Sequence, residues 1–455
     1  MPTDRYLASD VADDLLEARR NWIGWRFALT TARPTSGLGR PAIPLARTPP
    51  LLRSCGTTLP TTLSNQGGCR YLAVVKRTIY DSDHEAFRAS VREFIDREVR
   101  PHLAAHIEAH AMPRELWLAA GEQGLLGLEV PEQYGGSAAG DYRYNAVLFE
   151  ELAKVNLALP SSVAIHADTV APYLVHLTSE EQRERWLPGF CTGEILTAIG
   201  MTEASGGSDL AALRTTAVRD GDQWILNGSK TFITNGYSAD LVVVAARTTP
   251  EKKSRGITLF GVEATMEGFS RGRKLDKVGM PESDTAELFF DDVRVPGTHV
   301  IGEVDGGFIH MMQWLPQERL VTAITNLAHC SQILLETIEY TKGRKAFGQS
   351  IGAFQHNKFL MAELVTKVDV AQAYLDQAVA AHSRGELTPT DAAKAKWWSA
   401  QVQNEVLDHC VQLHGGYGYM NEYRVARAWK DARITKVWAG SNEIMKELIG
   451  RDLGF

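Results

Sequence analysis

Long apolar runs, paired cysteines and clustered metal ligands are all scarce in this sequence. No uninterrupted apolar stretch approaches the roughly 20 residues that a membrane-spanning helix needs, so we predict no integral membrane segment. The five cysteines are scattered, and their spacing matches neither a zinc site nor a dithiol motif. His102 and His106 share helical spacing, but no second ligand pair lies near them in the sequence. We therefore expect reduced thiols and no bound metal.

Composition places the chain among ordinary globular proteins. It has 455 residues, of which 44% are hydrophobic and 23% are charged, enough for a large core in more than one domain. The formal net charge is -7. This balance gives no reason to expect nucleic acid or an anionic membrane as the partner. Small-molecule chemistry is the function class that the composition favours.

The first 76 residues differ in composition from the rest of the chain. Between Ala18 and Lys76 there is no Asp or Glu, while arginine recurs and Pro, Gly, Ser and Thr are dense. We therefore expect residues 1–76 to be a disordered or non-native leader. One interpretation is an organellar transit peptide, which predicts the mitochondrial matrix but fits the acidic residues at its start poorly. The interpretation that we favour is that translation begins at Val75, which predicts a cytoplasmic protein of bacterial type.

Helical periodicity dominates residues 77–190, and short β-rich runs follow in residues 191–305. In the first part, Ser82 and Asp83 are candidate N-caps. In the second, turn signals such as Asn227-Gly228 and Asn235-Gly236 separate the runs. The apolar stripe of the first part comprises Phe87, Val91, Phe94 and Ile95, and the β-rich runs cover 224–226, 241–244, 257–260 and 288–290.

Residues 306–455 return to long helical periods. Leu320, Ile324, Leu327 and Leu334 fall on one face of the first predicted helix. Further helices are expected at about 354–384, 389–413 and 422–448. The predicted fold is α+β and multidomain, with an N-terminal helical domain, a middle β-domain and a C-terminal four-helix bundle.

Two motifs in the β-rich part combine small residues, hydroxyls and an aromatic ring. Met201–Asp209 reads MTEASGGSD, and its small residues let backbone N–H groups approach a pyrophosphate. Leu226–Gly236 reads LNGSKTFITNG, in which Phe232 offers a π-face and Thr234 a hydroxyl. Each motif alone is ambiguous, because a plain turn or a core Phe on a strand is the commoner structure.

A third set of motifs lies in the helical C-terminal part: Arg344–Gly348 (RKAFG), Gln355, and Gln412–Tyr419 (QLHGGYGY). In their order and spacing from Arg77 onwards, the three sets together resemble the acyl-CoA dehydrogenase family. The runs LPQERL at 315–320 and GSNEIMKELI at 440–449 are similar to the long-chain branch of that family.

The resemblance implies an FAD-dependent, soluble oligomer, expected to be a homotetramer. It would convert medium- to long-chain acyl-CoA into trans-2-enoyl-CoA in fatty-acid β-oxidation and pass electrons to an electron-transfer flavoprotein. One group of implied cofactor-binding residues would act within a subunit: Met201, Thr202, Gly207, Ser208, Phe232, Thr234, Ser441 and Glu443. Another group would reach the FAD of a neighbouring subunit: Arg344, Phe347, Gln355, Gln412, Gly415 and Gly416. Ser208 and Arg319 are the implied substrate-binding residues.

Removal of a proton α to a thioester needs a positioned carboxylate. Most members of the family carry it on a C-terminal loop, where this chain has Ala439, whereas the long-chain and isovaleryl branches carry it at the position of Glu318. Without the resemblance, Glu318 would be interpreted as a solvated helix residue paired with Arg319. Because Ala439 cannot titrate, the resemblance implies that Glu318 is the base. Ala439 then retains only its backbone N–H, which would donate to the thioester oxygen.

Three alternative functions stay open at this point. The chain could be an isovaleryl-type dehydrogenase for branched short-chain substrates, since that branch shares the base position. An acyl-CoA oxidase is disfavoured, because oxidases generally carry an additional C-terminal domain that this sequence lacks. A non-catalytic flavin-binding partner subunit is suggested by Ala439 and opposed by Glu318.

Pro316 replaces an Asp found in some relatives, so a hydrogen bond on the CoA side is missing or supplied elsewhere.

Overall fold

A computed structural model describes residues 77–455 of the chain, and the predicted leader lies outside this part. Helices fill its first third, as the periodicity predicts. Two π-helical segments, Ile95–Val99 and Ile165–Val170, continue the first and fifth helices. The α-helices are α1 (Ser82–Phe94), α2 (Leu103–Ala109), α3 (Arg114–Glu122), α4 (Arg143–Ala153), α5 (Ala158–Ala164), α6 (Ala171–His176) and α7 (Glu180–Thr192).

The start of α1 corrects the predicted cap by one residue. Asp81, rather than Ser82 or Asp83, is the N-cap, and its carboxylate accepts hydrogen bonds from the N–H groups of Asp83 and His84. The reason is that the chain is already helical at Ser82, so the residue before it meets the unpaired N–H groups. The predicted apolar stripe is confirmed: Val91, Phe94 and Ile95 are buried, and the half-buried Phe87 packs against them.

The middle part is a single mixed sheet with strand order β6-β7-β3-β2-β4-β5-β8, and β1 pairs in parallel with β4. All four predicted β-rich runs lie in strands. One face of the sheet packs on α6 and α7, where Trp186 and Phe190 meet Val243 and Leu259. The strands are β1 (Thr197–Gly200), β2 (Thr216–Asp220), β3 (Gln223–Thr234), β4 (Leu241–Arg247), β5 (Ile257–Glu263), β6 (Phe269–Lys274), β7 (Thr285–Pro296) and β8 (Val300–Ile301).

The predicted turn at Asn227-Gly228 is wrong, because both residues lie inside β3. The register between β3 and β7 shifts between Leu226 and Gly228, so the pair forms a β-bulge instead of a chain reversal. Gly228 has a φ of +145°, and a Cβ there would lie 2.7 Å from the Thr215 hydroxyl. The other predicted turn is confirmed, since the N–H of Gly236 bonds the Ile233 carbonyl at 3.1 Å.

The C-terminal part begins with the long helix α8 (Gly307–Gly343), which contains Pro316 and buries its predicted apolar face. A small hairpin, β9 (Lys345–Ala346) and β10 (Gln349–Ser350), leads to α9 (Gln355–Ser383) and α10 (Pro389–His414). The single helix predicted at 422–448 is wrong. It is divided into α11 (Arg424–Ala432) and α12 (Asn442–Asp452), because Ala439 and Gly440 between them have left-handed φ angles of +50° and +82°.

One hydrophobic core joins the two helical domains. It combines residues of α1 and α4, such as Val91 and Phe149, with residues of α8, α9 and α10, such as Ile324, Leu375 and Val406. The sheet has a core of its own on its other face. The long helix α8 therefore packs against α10 and reaches the sheet at β5, while β1 lies beside β3 in the sheet.

Within residues 77–455, no helix is both long and apolar enough to cross a membrane. Cys191, Cys330 and Cys410 are buried free thiols, while Cys55 and Cys69 lie outside the part that the structure describes.

Candidate active site

The first predicted cofactor motif follows β1 and lies against β3. The Thr202 carbonyl accepts the N–H of Thr231 at 2.9 Å. Glu203 anchors the loop, because its carboxylate accepts hydrogen bonds from the Thr215 N–H at 2.9 Å and from the Lys230 ammonium at 2.8 Å. Burial opposes ionisation of Glu203, but Lys230 outweighs it and lowers the pKa of Glu203 to about 2. Glu203 and Lys230 were not among the predicted site residues, although both lie inside the motifs.

The part of the loop that follows Glu203 is exposed to solvent. Met201 is buried, and its carbonyl accepts a bond from Lys230 at 3.3 Å. Gly207 and Ser208 are exposed. A Cβ built on Gly206 would meet no atom within 4 Å, so space lies in front of the loop.

Phe232 and Thr234 lie beside that loop, at the end of β3. A second register shift in the pairing with β7, between Lys230 and Ile233, turns Phe232 outward. Its φ is +59°, and 69% of the residue is exposed. A large aromatic side chain in a left-handed, exposed conformation marks a strained position, as is found at binding sites. Thr234 is half-buried next to it.

Glu318 lies on α8, one turn before Thr322. The Thr322 hydroxyl donates a hydrogen bond to the backbone carbonyl of Glu318 at 2.8 Å. The residue is half-buried. Across residues 77–455, no group donates a hydrogen bond to its carboxylate and no ion pair includes it. Burial raises the pKa of Glu318, and the charges of Arg319 and Lys396 oppose that rise. The carboxylate is therefore partly desolvated and unoccupied by protein donors, as a base must be.

Arg319 does not form the surface ion pair that the alternative interpretation of Glu318 required. It is 7% exposed, and its Nε is buried without a hydrogen-bond partner in the described residues. Burial lowers the pKa of Arg319.

A buried acid that sequence analysis missed lies close to the candidate base. Asp168, in the π-helical segment, is 0% exposed and accepts a hydrogen bond from the Asn145 amide at 3.0 Å. Gln317, the neighbour of Glu318, bonds the Asp168 backbone carbonyl at 2.9 Å. Burial raises the pKa of Asp168 to about 7, and the charge of Glu318 adds to the rise. A lone Asp within a helical stripe offers no sequence signal for this environment.

Ala439 lies in the loop between α11 and α12. Within residues 77–455, no acceptor bonds its N–H. The following carbonyl, that of Gly440, accepts a hydrogen bond from the ammonium group of Lys396 on α10. Ser441 caps α12 by accepting the N–H of Ile444 at 3.3 Å, and Glu443 is exposed in its first turn. The loop thus presents a free backbone donor on a fixed frame.

The predicted intersubunit residues form a separate, exposed group. The Arg344 guanidinium lies 5.8 Å from the centroid of the Tyr417 ring, which connects the β9–β10 hairpin with the end of α10. Phe347 is 94% exposed and has a φ of +50°. The other members, Gln355, Gln412, Gly415 and Gly416, are exposed as well. Among the described residues, no hydrogen bond, ion pair or ring contact joins this group to Thr202, Phe232 or Thr234.

Family models match nearly all of the described chain. The acyl-CoA dehydrogenase N-terminal, middle and C-terminal domain models cover residues 81–194, 198–293 and 305–454. A mouse protein named long-chain specific acyl-CoA dehydrogenase, mitochondrial, is 44% identical over 409 residues, which are 90% of this chain and 95% of that protein. The chain belongs to the acyl-CoA dehydrogenase family. The resemblance predicted from the motifs is therefore confirmed, as is the three-part fold.

Solved structures agree with this membership. The crystal structure of an acyl-CoA dehydrogenase from Geobacillus kaustophilus has a TM-score of 0.81 at 44% identity and covers 83% of this chain and 99% of that one. A glutaryl-CoA dehydrogenase from Mycobacterium smegmatis, solved in complex with FADH2, has a TM-score of 0.78 at 27% identity, covering 82% and 95%.

Acyl-CoA dehydrogenases are FAD-dependent, and the residues present here fit a flavin. The exposed ring of Phe232, the hydroxyls of Thr202 and Thr234 and the open space in front of Gly206 belong to two neighbouring segments, which the bond from the Thr231 N–H to the Thr202 carbonyl joins. An aromatic face and hydroxyls suit a planar, polar-edged ring, and glycines allow close approach of phosphates.

Proposed function

We propose that this acyl-CoA dehydrogenase removes the α-proton of medium- to long-chain acyl-CoA with Glu318, in fatty-acid β-oxidation. The observation that carries the proposal is the state of the Glu318 carboxylate: half-buried, free of protein donors in the described residues, and raised in pKa by burial. A desolvated carboxylate gains basicity, which matches it to a weakly acidic carbon.

Two groups of the chain would share the proton-transfer step. Glu318 takes the α-proton on a carboxylate oxygen, while the thioester carbonyl gains negative charge. The free N–H of Ala439 would donate to that oxygen, a role that does not depend on the side chain. Arg319 and Ser208 are the proposed substrate contacts. Bound FAD would supply the acceptor for the hydride that leaves the β-carbon.

Variants of Glu318 test the base directly. Anaerobic mixing of the enzyme with acyl-CoA thioesters of increasing chain length, including isovaleryl-CoA, should bleach the flavin absorbance. Glu318→Gln should slow bleaching by about 10²–10⁴-fold, the usual contribution of a general base. Ala439→Ser should still bleach, because its backbone N–H is unchanged. Glu339→Gln, on the same helix with an exposed side chain, is the matched control.

The outcomes separate the competing functions. Full bleaching in Glu318→Gln would refute the proposed base. Bleaching of the wild-type enzyme by isovaleryl-CoA alone would favour the branched short-chain alternative. No bleaching with any thioester would favour a non-catalytic subunit. Rapid formation of peroxide in air would favour an oxidase, whereas electron transfer to an electron-transfer flavoprotein is the outcome that we propose.

The cofactor site is proposed to be completed by a neighbouring subunit of a homotetramer. The support is the exposed group around Arg344 and Phe347, which has no contact with the Phe232 loop within residues 77–455. Arg344→Ala should weaken FAD retention by removing a partner for the diphosphate charge. Light scattering would give the oligomeric state, and a monomer that retains FAD fully would overturn this part of the proposal.

A further inference from the structure

Lys396 is a buried lysine for which the sequence offered no role. It lies on α10 and is 0% exposed. No ion pair in the described residues includes it, although a buried ammonium group is costly without a partner. Burial lowers the pKa of Lys396 to about 8, despite the nearby charges of Glu318 and Glu443. We therefore expect a buried ammonium group of this kind to have a function that outweighs its free-energy cost.

One task of Lys396 is to hold the loop that carries Ala439. Its ammonium group donates to the carbonyl of Gly440, the next residue. The loop is fastened at its ends, by Trp438 packed against Leu157 and by Ser441 as the N-cap of α12. Between these ends, the bond to Lys396 fixes the left-handed conformation of Ala439 and Gly440. It therefore fixes the direction of the Ala439 N–H.

A second task is electrostatic. The charges of Arg319 and Lys396 lower the pKa of Glu318, and the charge of Glu318 raises the pKa of Asp168 and Tyr173, which lie in the N-terminal domain. Positive charge at this place favours the ionised carboxylate and also any negative charge that develops on a substrate oxygen.

We infer that Lys396 is a positioning residue, which aims the Ala439 N–H through Gly440 and supplies positive charge that keeps Glu318 in the ionised form that accepts the proton. This inference rests on the proposed function, because it assigns Lys396 to the same proton transfer. A lysine that merely fastens the loop for stability would affect folding and leave the pH dependence of Glu318 unchanged.

The test uses the FAD-loaded enzyme and a 3-thia-acyl-CoA, whose β-sulfur prevents oxidation. Exchange of its α-protons with deuterated solvent reports proton removal without hydride transfer. Lys396→Met should slow exchange by about 100-fold, as does loss of a donor to a developing oxyanion. With an oxidisable acyl-CoA in place of the thia analogue, kcat should fall by the same factor and KM should stay nearly unchanged. The acidic limb of the exchange rate should move to higher pH, since the loss of a positive charge raises the pKa of Glu318. Lys394→Met, a half-exposed lysine of the same helix, is the control.

The possible outcomes keep this inference separate from the proposed function. If Glu318→Gln exchanges normally, Glu318 is not the base and the proposed function fails. If Glu318→Gln stops exchange while Lys396→Met leaves both the rate and its acidic limb unchanged, the inference alone is overturned. Should Lys396→Met fail to retain FAD, Lys396→Gln decides instead. Its amide can still donate to the Gly440 carbonyl but carries no charge, so an acidic limb that moves to higher pH supports the inference and an unchanged limb overturns it.

Discussion

Replacement of the buried Asp168 by asparagine should make the enzyme more stable at high pH. The carboxyl is 0% exposed, and burial raises its pKa to about 7 from the ordinary value of 3.8. The folded protein therefore keeps a proton on Asp168 between about pH 4 and pH 7, where the unfolded chain has released it. Because the folded state binds more protons, the free energy of unfolding falls as pH rises through this window.

The size of the effect follows from the same two pKa values. A difference from 3.8 to about 7 corresponds to roughly 4 kcal/mol of unfolding free energy lost between pH 4 and pH 8. The asparagine side chain in Asp168→Asn would be neutral throughout, and its amide oxygen can still accept the bond from Asn145. The variant should therefore match the wild type below about pH 4 and exceed it by up to that amount at pH 8.

Thermal unfolding of the FAD-loaded enzyme at several pH values measures this difference. The gain in Tm of Asp168→Asn should grow from pH 5 to about pH 7 and then level off. Asp452→Asn, an exposed change at the end of α12, should show no such trend. A gain in Tm that is the same at pH 5 and pH 8 would mean that Asp168 is ionised throughout, and the reasoning from burial would be wrong.

Three further predictions concern stability. Glu150→Gln should cost about 3–5 kcal/mol in urea unfolding, because it removes the partner of two arginines in a largely buried cluster, whereas Glu447→Gln, in an exposed pair, should cost less than about 1 kcal/mol. Gly261→Ala should cost about 1–3 kcal/mol by overpacking, since its Cβ would lie 2.6 Å from a tryptophan ring, while Gly140→Ala meets no atom within 4 Å and should be nearly neutral. Ala439→Gly should raise the unfolding free energy by about 1 kcal/mol, because glycine tolerates the φ of +50° better than alanine does.

The fold was predictable to the extent that it depends on local periodicity. The stripe on α1 and the apolar face of α8 follow the helical period, and each packs where that period places it. The turn predicted at Asn227-Gly228 was wrong, because the same dipeptide suits a tight turn and a bulge. Its conformation is decided by β7, with which β3 pairs, and by Thr215, against which Gly228 packs. Neither contact is visible in the local sequence.

The candidate site was predictable where motifs carry it and unpredictable where partners come from distant parts of the chain. Glu318, Phe232 and Thr234 lie in quoted motifs. Asp168 and Lys396 do not, and each gains its character from burial against other helices. A lysine on a helix is ordinarily solvated, so only the packing of α10 beside the C-terminal loop distinguishes Lys396 from Lys394.

The conformation of the Ala439 loop depends both on local sequence and on a residue from a distant part of the chain. A backbone N–H needs a direction and no particular side chain, so an alanine there is compatible with catalysis only if something else sets that direction. In this chain three features set the direction of the N–H: the left-handed conformation of Ala439 and Gly440, the cap at Ser441 and the bond from Lys396. Gly440 cannot change freely, because its φ of +82° is a conformation that side chains rarely adopt. If Glu318 is the base, as proposed, the requirement on the loop is carried by Gly440 and Lys396, and the side chain at position 439 is released from it.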